Sequence, residues 1–267
     1  MLTFRRFTLF FFITLLGLNL WNIFLSKSTG GLIHTHAFLI YSLLLIFYFG
    51  VSFIMAFLPC TGFHHPVICH GRTDEKSVSI TFDDGPDPVK TLMLLDLLKK
   101  HDVQAAFFCI GNKLAGNETL LNKMVDEGHL IGNHSFSHSN WFDLFPTRKM
   151  RNELLETDRL IKNITGRSPM FFRPPFGVVN PMVSNALKKM HWQAVCWNIR
   201  SLDTVTIDPL KTKGKILGNL KPGAIILLHD HTRFTEHHLD DLLTAIRDAG
   251  YRIVALDKLL KMPAYAS

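Results

Sequence analysis

Asp83 and Asp84 are adjacent carboxylates followed at once by Gly85-Pro86, so a tight turn holds both acids at the end of the strand-like run Ser77–Phe82. Two neighbouring acids repel each other unless a cation or a base neutralises them. His134 and His138 stand four apart, a spacing that on a helical turn puts both imidazoles on one face at chelating distance. Alone, such a pair is more often a surface accident. With a carboxylate from another strand end it becomes a two-imidazole, one-carboxylate set with room for water, which suits zinc or a similar divalent cation with an open catalytic position. Arg173, in Arg173-Pro174-Pro175-Phe176-Gly177, brings a guanidinium able to fix a carboxylate through a bidentate pair, on backbone stiffened by two prolines. Asp203 follows the apolar run Gln193–Ile199, and His229-Asp230 follows Ala224–Leu228. A histidine placed there is partly desolvated and open to tuning by a carboxylate.

These residues need a frame that brings distant segments together. Ser77–Phe82 alternates like a strand and is rich in β-branched residues, and Pro88–His101 carries a leucine stripe at helical spacing. The alternation continues. Strands are expected at Ala105–Ile110, Leu130–Asn133, Met170–Arg173, Gln193–Ile199, Ala224–Leu228 and Arg252–Ala255. Between them, helices are expected from Asn117 to Glu127, at Thr147–Asn163, Pro181–Met190, around Pro209–Asn219 and at Leu239–Ala249. Repeated β-α alternation implies a mainly parallel sheet, open or closed into a barrel, with functional residues at the carboxyl ends of its strands. Acid, imidazole, guanidinium, acid and imidazole then stand at five successive strand ends.

The charge is divided unevenly. Residues 1–60 hold three basic residues, Arg5, Arg6 and Lys27, and no acid, whereas residues 61–267 hold 26 basic and 22 acidic residues. The front end excludes a wholly soluble protein and the back end excludes a multi-span transporter. Despite a pI near 9.3, the basic residues do not cluster, so no nucleic-acid partner is expected. Ala37–Leu58 is 22 residues without a charge, and at ~1.5 Å per residue it crosses a hydrocarbon core of ~30 Å. Phe7–Leu25 is also charge-free, with Asn19 and Asn22 three apart on one face, amides that want a partner such as the second helix. A signal peptide is the competing reading of that first run. The division is thus a membrane anchor over 1–60 with spans near 7–25 and 37–58, a polar connector over 61–76, and a globular domain over 77–267. Arg5 and Arg6 against Lys27 in the loop Ser26–His36 favour the cytoplasmic side of a bacterial inner membrane for the domain. Of four cysteines, Cys109 and Cys196 read as buried thiols; Cys60 and Cys69 are expected unpaired, pairing only in an oxidising compartment.

Taken together, Thr81–Asp87 (TFDDGPD), His134–His138 (HSFSH), Arg173–Gly177 (RPPFG), the Trp197 to Asp203 segment and Leu227–Asp230 (LLHD) resemble, in order, the five motifs of the polysaccharide deacetylase family, the NodB-like domain of carbohydrate esterase family four. The resemblance covers about Ser77 to Lys258. It implies a distorted (β/α) barrel and a metal-dependent hydrolase that removes an N-acyl group, usually acetyl, from an amino sugar. By position, Asp84, His134 and His138 resemble the ligands of one divalent ion, most often zinc, and Asp83 the general base. Arg173 is similar to the residue that orients the base, Asp203 to the acid that tunes the catalytic His229, and Leu227 to the wall of the acyl pocket. The main chain of Phe176 resembles an oxyanion donor, with Phe where the family usually has Tyr. The fourth motif departs further, since Arg200 stands where an acid is usual and Thr204 where an aromatic commonly walls the sugar groove. That substitution points toward an anionic or lipid-linked glycan as substrate, with membrane lipid as the second partner. A membrane-bound deformylase of a lipid-linked amino sugar and a catalytically silent glycan-binding protein are the alternatives.

Overall fold

The computed structural model describes residues 2–29, 34–188, 190–206 and 208–266. Ser77–Asp83 (β1) alternates polar and apolar residues and is buried along its whole length, as a strand covered on both faces must be. Behind it come α3 (Lys90–Lys100), β2 (Ala106–Cys109), α4 (Glu118–Asp126), β3 (Leu130–Asn133), α5 (Thr147–Thr165), β4 (Phe171–Phe172) and α6 (Pro181–Leu187). β5 (Gln193–Ala194), β6 (Ile199–Arg200), α7 (Pro209–Gly218), β7 (Ala224–His229), α8 (Arg233–Asp248), β8 (Arg252–Ile253) and α9 (Leu256–Leu260) complete the domain, and α1 (Phe4–Thr29) and α2 (His34–Ala56) precede it.

The sheet runs β5-β4-β3-β2-β1-β7-β6, with β8 on the start of β1. Every strand pair in it is parallel. Its two outer strands, β5 and β6, are neighbours in the chain, so the sheet must curl until its edges approach. Residues of the expected connector fill the remaining gap: Ile68 bridges to Val195 and His70 to Ala224. The result is the distorted, incompletely closed barrel. Val78, Ile80 and Phe82 face outward onto the helices with Phe107, Ile226 and Leu228. Ala106, Phe108, Phe171 and Ile225 face inward over Leu256 and Leu259 of α9, which plugs the lower end. Burying each of these large side chains contributes about 1.5–3 kcal/mol. The upper end is left for polar groups.

The elements differ from expectation in a few places. The strand expected over Gln193–Ile199 divides into β5 and β6, because Val195 and Cys196 turn aside to meet Ile68. α8 begins six residues before Leu239, where the Thr232 hydroxyl accepts from Thr235 N at 3.3 Å and caps it. Asn117 precedes α4 as expected, yet its amide donates to Lys113 O instead of capping.

α1 and α2 are each long and apolar enough to cross a membrane. Residues 30–33 of the expected loop Ser26–His36 lie outside the described residues. The helices meet near the domain: Phe7 and Phe11 stack on Tyr48 with ring centres 5.3 and 4.5 Å apart, and the Thr8 and Tyr48 hydroxyls are 2.9 Å apart. Phe4 N donates to Phe63 O at 2.7 Å, so the start of α1 and the globular domain lie at the same end of the helix pair. Asn19 does not reach across to α2; it donates to Leu15 O within its own helix. His64, in the polar connector, is wedged among Phe4, Phe63 and the carbonyl of Ser52, and burial lowers its pKa despite that hydrogen bond. Cys60 and Cys69, expected unpaired, form a disulfide. The turn at Pro59–Thr61, closed by Gly62, folds the chain back so that residues nine apart in sequence meet.

Candidate active site

Asp83 ends β1 and Asp84 turns out of it with a left-handed backbone, φ 74°, held by Lys113 Nζ on its carbonyl at 2.7 Å. His134 leaves β3 and is buried; its Nδ1 lies 2.8 Å from the Arg173 carbonyl, which fixes that nitrogen as the donor and presents Nε2 as a free lone pair. His138 Nε2 lies 3.3 Å and His134 Nε2 3.5 Å from Asp84 Oδ1. Three donors each ~2.0–2.1 Å from one cation at tetrahedral angles would be about 3.3–3.4 Å apart, and the two sides of the triangle that meet at Asp84 Oδ1 match that spacing. The ligand atoms all fall within 4.8 Å of one another, and Asp84 Oδ1 is a buried oxygen with no hydrogen-bond donor. That orphaned acceptor is what a cation would satisfy.

The expected helical turn is not what joins the two histidines. Ser135 and His138 both take left-handed backbone, φ 64° and 46°, and the loop is tied by Ser135 N to Asn133 Oδ1 (3.0 Å), His138 N to Ser135 Oγ (3.1 Å) and Ser137 N to Glu153 Oε2 (2.9 Å). Backbone strain of this kind persists only where surrounding bonds over-determine it. Burial, reinforced by the neighbouring His134, pushes the His138 pKa down to about 4, so its imidazole is neutral and able to ligate. Burial alone would raise the Asp84 pKa, but the imidazole of His134 beside it, then those of His138 and His229, hold it far below the usual carboxylate range.

Asp83 stands beside the triangle with Oδ2 3.8 Å from His134 Nε2. Its Oδ1 accepts from Arg173 Nη1 at 2.7 Å. The pair is single, not the expected bidentate fork, because the other guanidinium donors are engaged: Nη1 also reaches Thr81 Oγ1 (2.8 Å), Nε the Val195 carbonyl (3.1 Å) and Nη2 the Cys196 carbonyl (3.2 Å). Arg173 is wholly buried, with its guanidinium carbon 3.9 Å from the Phe108 ring centre. A buried cation with every guanidinium nitrogen hydrogen-bonded, beside one carboxylate oxygen, leaves the other oxygen turned toward the site.

Across the mouth, His229 Nδ1 and Asp203 Oδ1 are 2.8 Å apart. Asp203 is buried and takes three further donors, Ser201 Oγ (2.7 Å), His229 N (2.9 Å) and Thr232 Oγ1 (3.0 Å). Burial would raise its pKa, but those donors, the His229 ring first, hold it below the usual value. Burial would in turn lower His229, but Asp203, then the charges of Asp83 and Asp84, carry it above its usual value. His229 Nε2 points back to within 4.0 Å of Asp84 Oδ2. Leu227 pairs with Thr81 as His229 pairs with Asp83, so all four share the inner face of the barrel, with Leu227 buried below His229. Phe176 has φ 58° and half its surface exposed, its ring 4.8 Å from that of His138. Every sequence-predicted site residue thus lies at one end of the barrel.

Comparisons with known proteins bear on the family and the fold. The polysaccharide deacetylase family model matches residues 70–195. A peptidoglycan-N-acetylmuramic acid deacetylase of Bacillus subtilis is 34% identical over 71% of this chain and 73% of its own length. The chain belongs to the polysaccharide deacetylase family. A peptidoglycan-N-acetylglucosamine deacetylase of Listeria monocytogenes is 35% identical over 73% of this chain, but the chain spans only 41% of that protein. Among solved structures, a peptidoglycan N-acetylglucosamine deacetylase bound to a hydroxybenzamide superposes with a TM-score of 0.71 at 28% identity, covering 75% of this chain and 95% of the other. A carbohydrate esterase family four pseudoenzyme of Bacillus anthracis superposes at 0.68 with 28% identity, over 73% of this chain and 69% of its own. The fold alone therefore does not guarantee activity within the polysaccharide deacetylase family; the residues at the barrel mouth must carry that argument.

Sequence reasoning missed the supports. Ser201 and Thr232 complete the Asp203 shell, Thr81 shares Arg173 Nη1, and Lys113 holds the Asp84 backbone. Asp230, buried, accepts from Thr91 Oγ1 at 2.5 Å, and Gly85 leaves room for it: a Cβ there would stand 2.2 Å from Asp230 Oδ2. Of these, Asp230 alone carried a signal, as the residue after His229 in LLHD.

Proposed function

We propose that the chain is a metal-dependent N-deacetylase acting on an amino sugar of a glycan. The carrying observation is the Asp84, His134 and His138 triangle with the Arg173-held Asp83 on one side and the Asp203-held His229 on the other. Asp84, His134 and His138 would hold a divalent ion, zinc by the donor set, which when bound would supply polarisation of the amide carbonyl and a lowered water pKa. Asp83 Oδ2 accepts the proton of the attacking water while Arg173 keeps the carboxylate oriented. The Phe176 main-chain N–H steadies the oxyanion, and Leu227 forms the apolar floor under the acyl methyl. His229, held protonated by Asp203, delivers its proton to the departing nitrogen, so the C–N bond breaks to an amine and acetate. A silent glycan-binding role is disfavoured because neither the base nor any of the three ligands is substituted. Formyl in place of acetyl would need the same groups, so a deformylase differs only at the floor by Leu227.

The names of the relatives supply the substrate class, a peptidoglycan-like polymer of N-acetylated amino sugars. α1 and α2 are read as two membrane spans, since the 18-residue apolar window of α2 is 0% buried and a core helix of a soluble protein would be covered. The side is argued from two opposed signals. Arg5 and Arg6 against Lys27 favour the cytoplasm. The Cys60–Cys69 disulfide needs an oxidising compartment, and a chemical requirement outweighs a bias of one residue, so the outer face is proposed. The purified full-length protein, loaded with zinc and given chitin tetramer, is expected to release acetate; a metal-loaded, folded protein that releases acyl acid from no N-acetylated or N-formylated sugar would contradict the reading.

A further inference from the structure

We propose that the hollow between the end of α2 and the catalytic loops is a substrate subsite that receives the phosphate and first chain carbons of a polyprenyl-phosphate-linked amino sugar; this rests on the deacetylase reading and narrows its substrate. The hollow is about 420 Å³ and is walled by Phe57, Leu58, Phe176, Gly177, Trp197 and Arg200. It is a fixed feature, because the anchor is fastened to the catalytic loop. The Ala56 carbonyl, last of α2, accepts from Val179 N at 2.9 Å, three residues beyond Phe176. Cys60 Sγ lies 3.5 Å from the Trp197 carbonyl, and its disulfide to Cys69 ties the same turn to the segment that bridges to Val195.

The order of chemistry along the hollow matches one class of molecule. Phe176 forms the boundary with the site, its ring against His138. Arg200 comes next, exposed and without an ion pair among the described residues, on the strand β6 that lies beside Leu227. An unpaired guanidinium in a groove is a phosphate site in charge and shape. Phe57 and Leu58 make the far wall, 52% and 48% exposed, and they continue directly from a helix whose flanks are open apolar surface. Sugar amide, phosphate and lipid chain would therefore lie in sequence from the triangle to the bilayer. A soluble polymer has no use for two exposed apolar side chains at that end, and a hollow of this size takes one chain rather than the several of a multi-acyl glycolipid.

The test compares N-acetylglucosaminyl phosphoryl polyprenol with chitin tetramer, using the full-length zinc-loaded protein in mixed micelles. The lipid-linked sugar is expected to have the higher kcat/KM, by at least about 10-fold, and Arg200→Gln to lower the ratio of the two values about 10- to 100-fold, the worth of a charge-assisted contact. Phe57→Ser should lower the same ratio, and it serves if the arginine variant fails to fold. Equal or better turnover of the tetramer, a ratio unmoved by both variants, or preference for a multi-acyl phosphoglycolipid would overturn the subsite alone. No acyl acid from any substrate would overturn the deacetylase reading and the subsite with it.

Discussion

Asp203 shows how a single buried carboxylate sets the chemistry of a neighbour. It receives four hydrogen bonds, two of them from His229, so its negative charge is fixed and aimed at one ring. The His229 pKa is raised, and the protonated ring is the donor in the proposed reaction, so the acid it supplies is in place below that raised value and is lost as pH climbs through it, which sets the alkaline limb of activity. Asp203→Asn removes the largest upward influence on His229. The alkaline limb of the kcat/KM profile should move to lower pH, with a loss at pH 7 of about 10²-fold, read from initial rates across pH. An alkaline limb that stays in place would separate it from His229. Asp203 and His229 were both legible in the sequence because each follows an apolar run. Ser201 and Thr232 were not: a hydroxyl two residues away, or from another element, has no spacing signature, and only the closed shell reveals what it does.

At the scale of elements, the strand ends are where periodicity fails and function begins. Asp84, Ser135, His138, Phe176 and Leu202 all carry left-handed backbone, and all lie in loops at the barrel mouth. The β-α alternation was readable because strands and helices obey their own periods. The His134 to His138 turn was misread as helical because a spacing of four is also met by a strained loop, and the hydrogen bonds to Asn133 and Glu153 that enforce it are long-range or local accidents of packing. The same holds for the division of the strand over residues 193–199, which depends on contact with Ile68. Gly177 offers a direct test of this loop architecture: its φ is 71°, and an added Cβ would meet the Trp197 ring at 2.8 Å. Gly177→Ala should cost about 1–3 kcal/mol, and thermal denaturation should fall by several degrees. An unchanged melting temperature would show that the loop has an unstrained alternative.

For the whole molecule, α1 and α2 are fastened to the globular domain by backbone hydrogen bonds at their domain-facing ends. The sequence separated residues 1–60 from the domain by charge alone, and it gave no indication that Phe4 pairs with Phe63 or that Ala56 receives Val179 N. Contacts between an apolar helix and a catalytic loop leave no periodic trace in either. The proposed outer-face compartment rests on the Cys60–Cys69 disulfide. In intact cells, a membrane-permeant alkylating reagent should leave Cys60 and Cys69 unmodified until a reductant is added, as measured by mass shift on the denatured chain. Immediate modification without reductant would place the domain in a reducing compartment and restore the side favoured by the charge count. The rest of the account depends on Asp84, His134 and His138 holding one cation next to Asp83. Metal content per chain, measured by inductively coupled plasma mass spectrometry on the purified protein and its variants, tests that most directly. One divalent ion is expected in the parent and in Asp83→Asn, the latter with turnover reduced about 10²–10⁴-fold, and none in His134→Ala or His138→Ala; a full complement of metal in either histidine variant would contradict it.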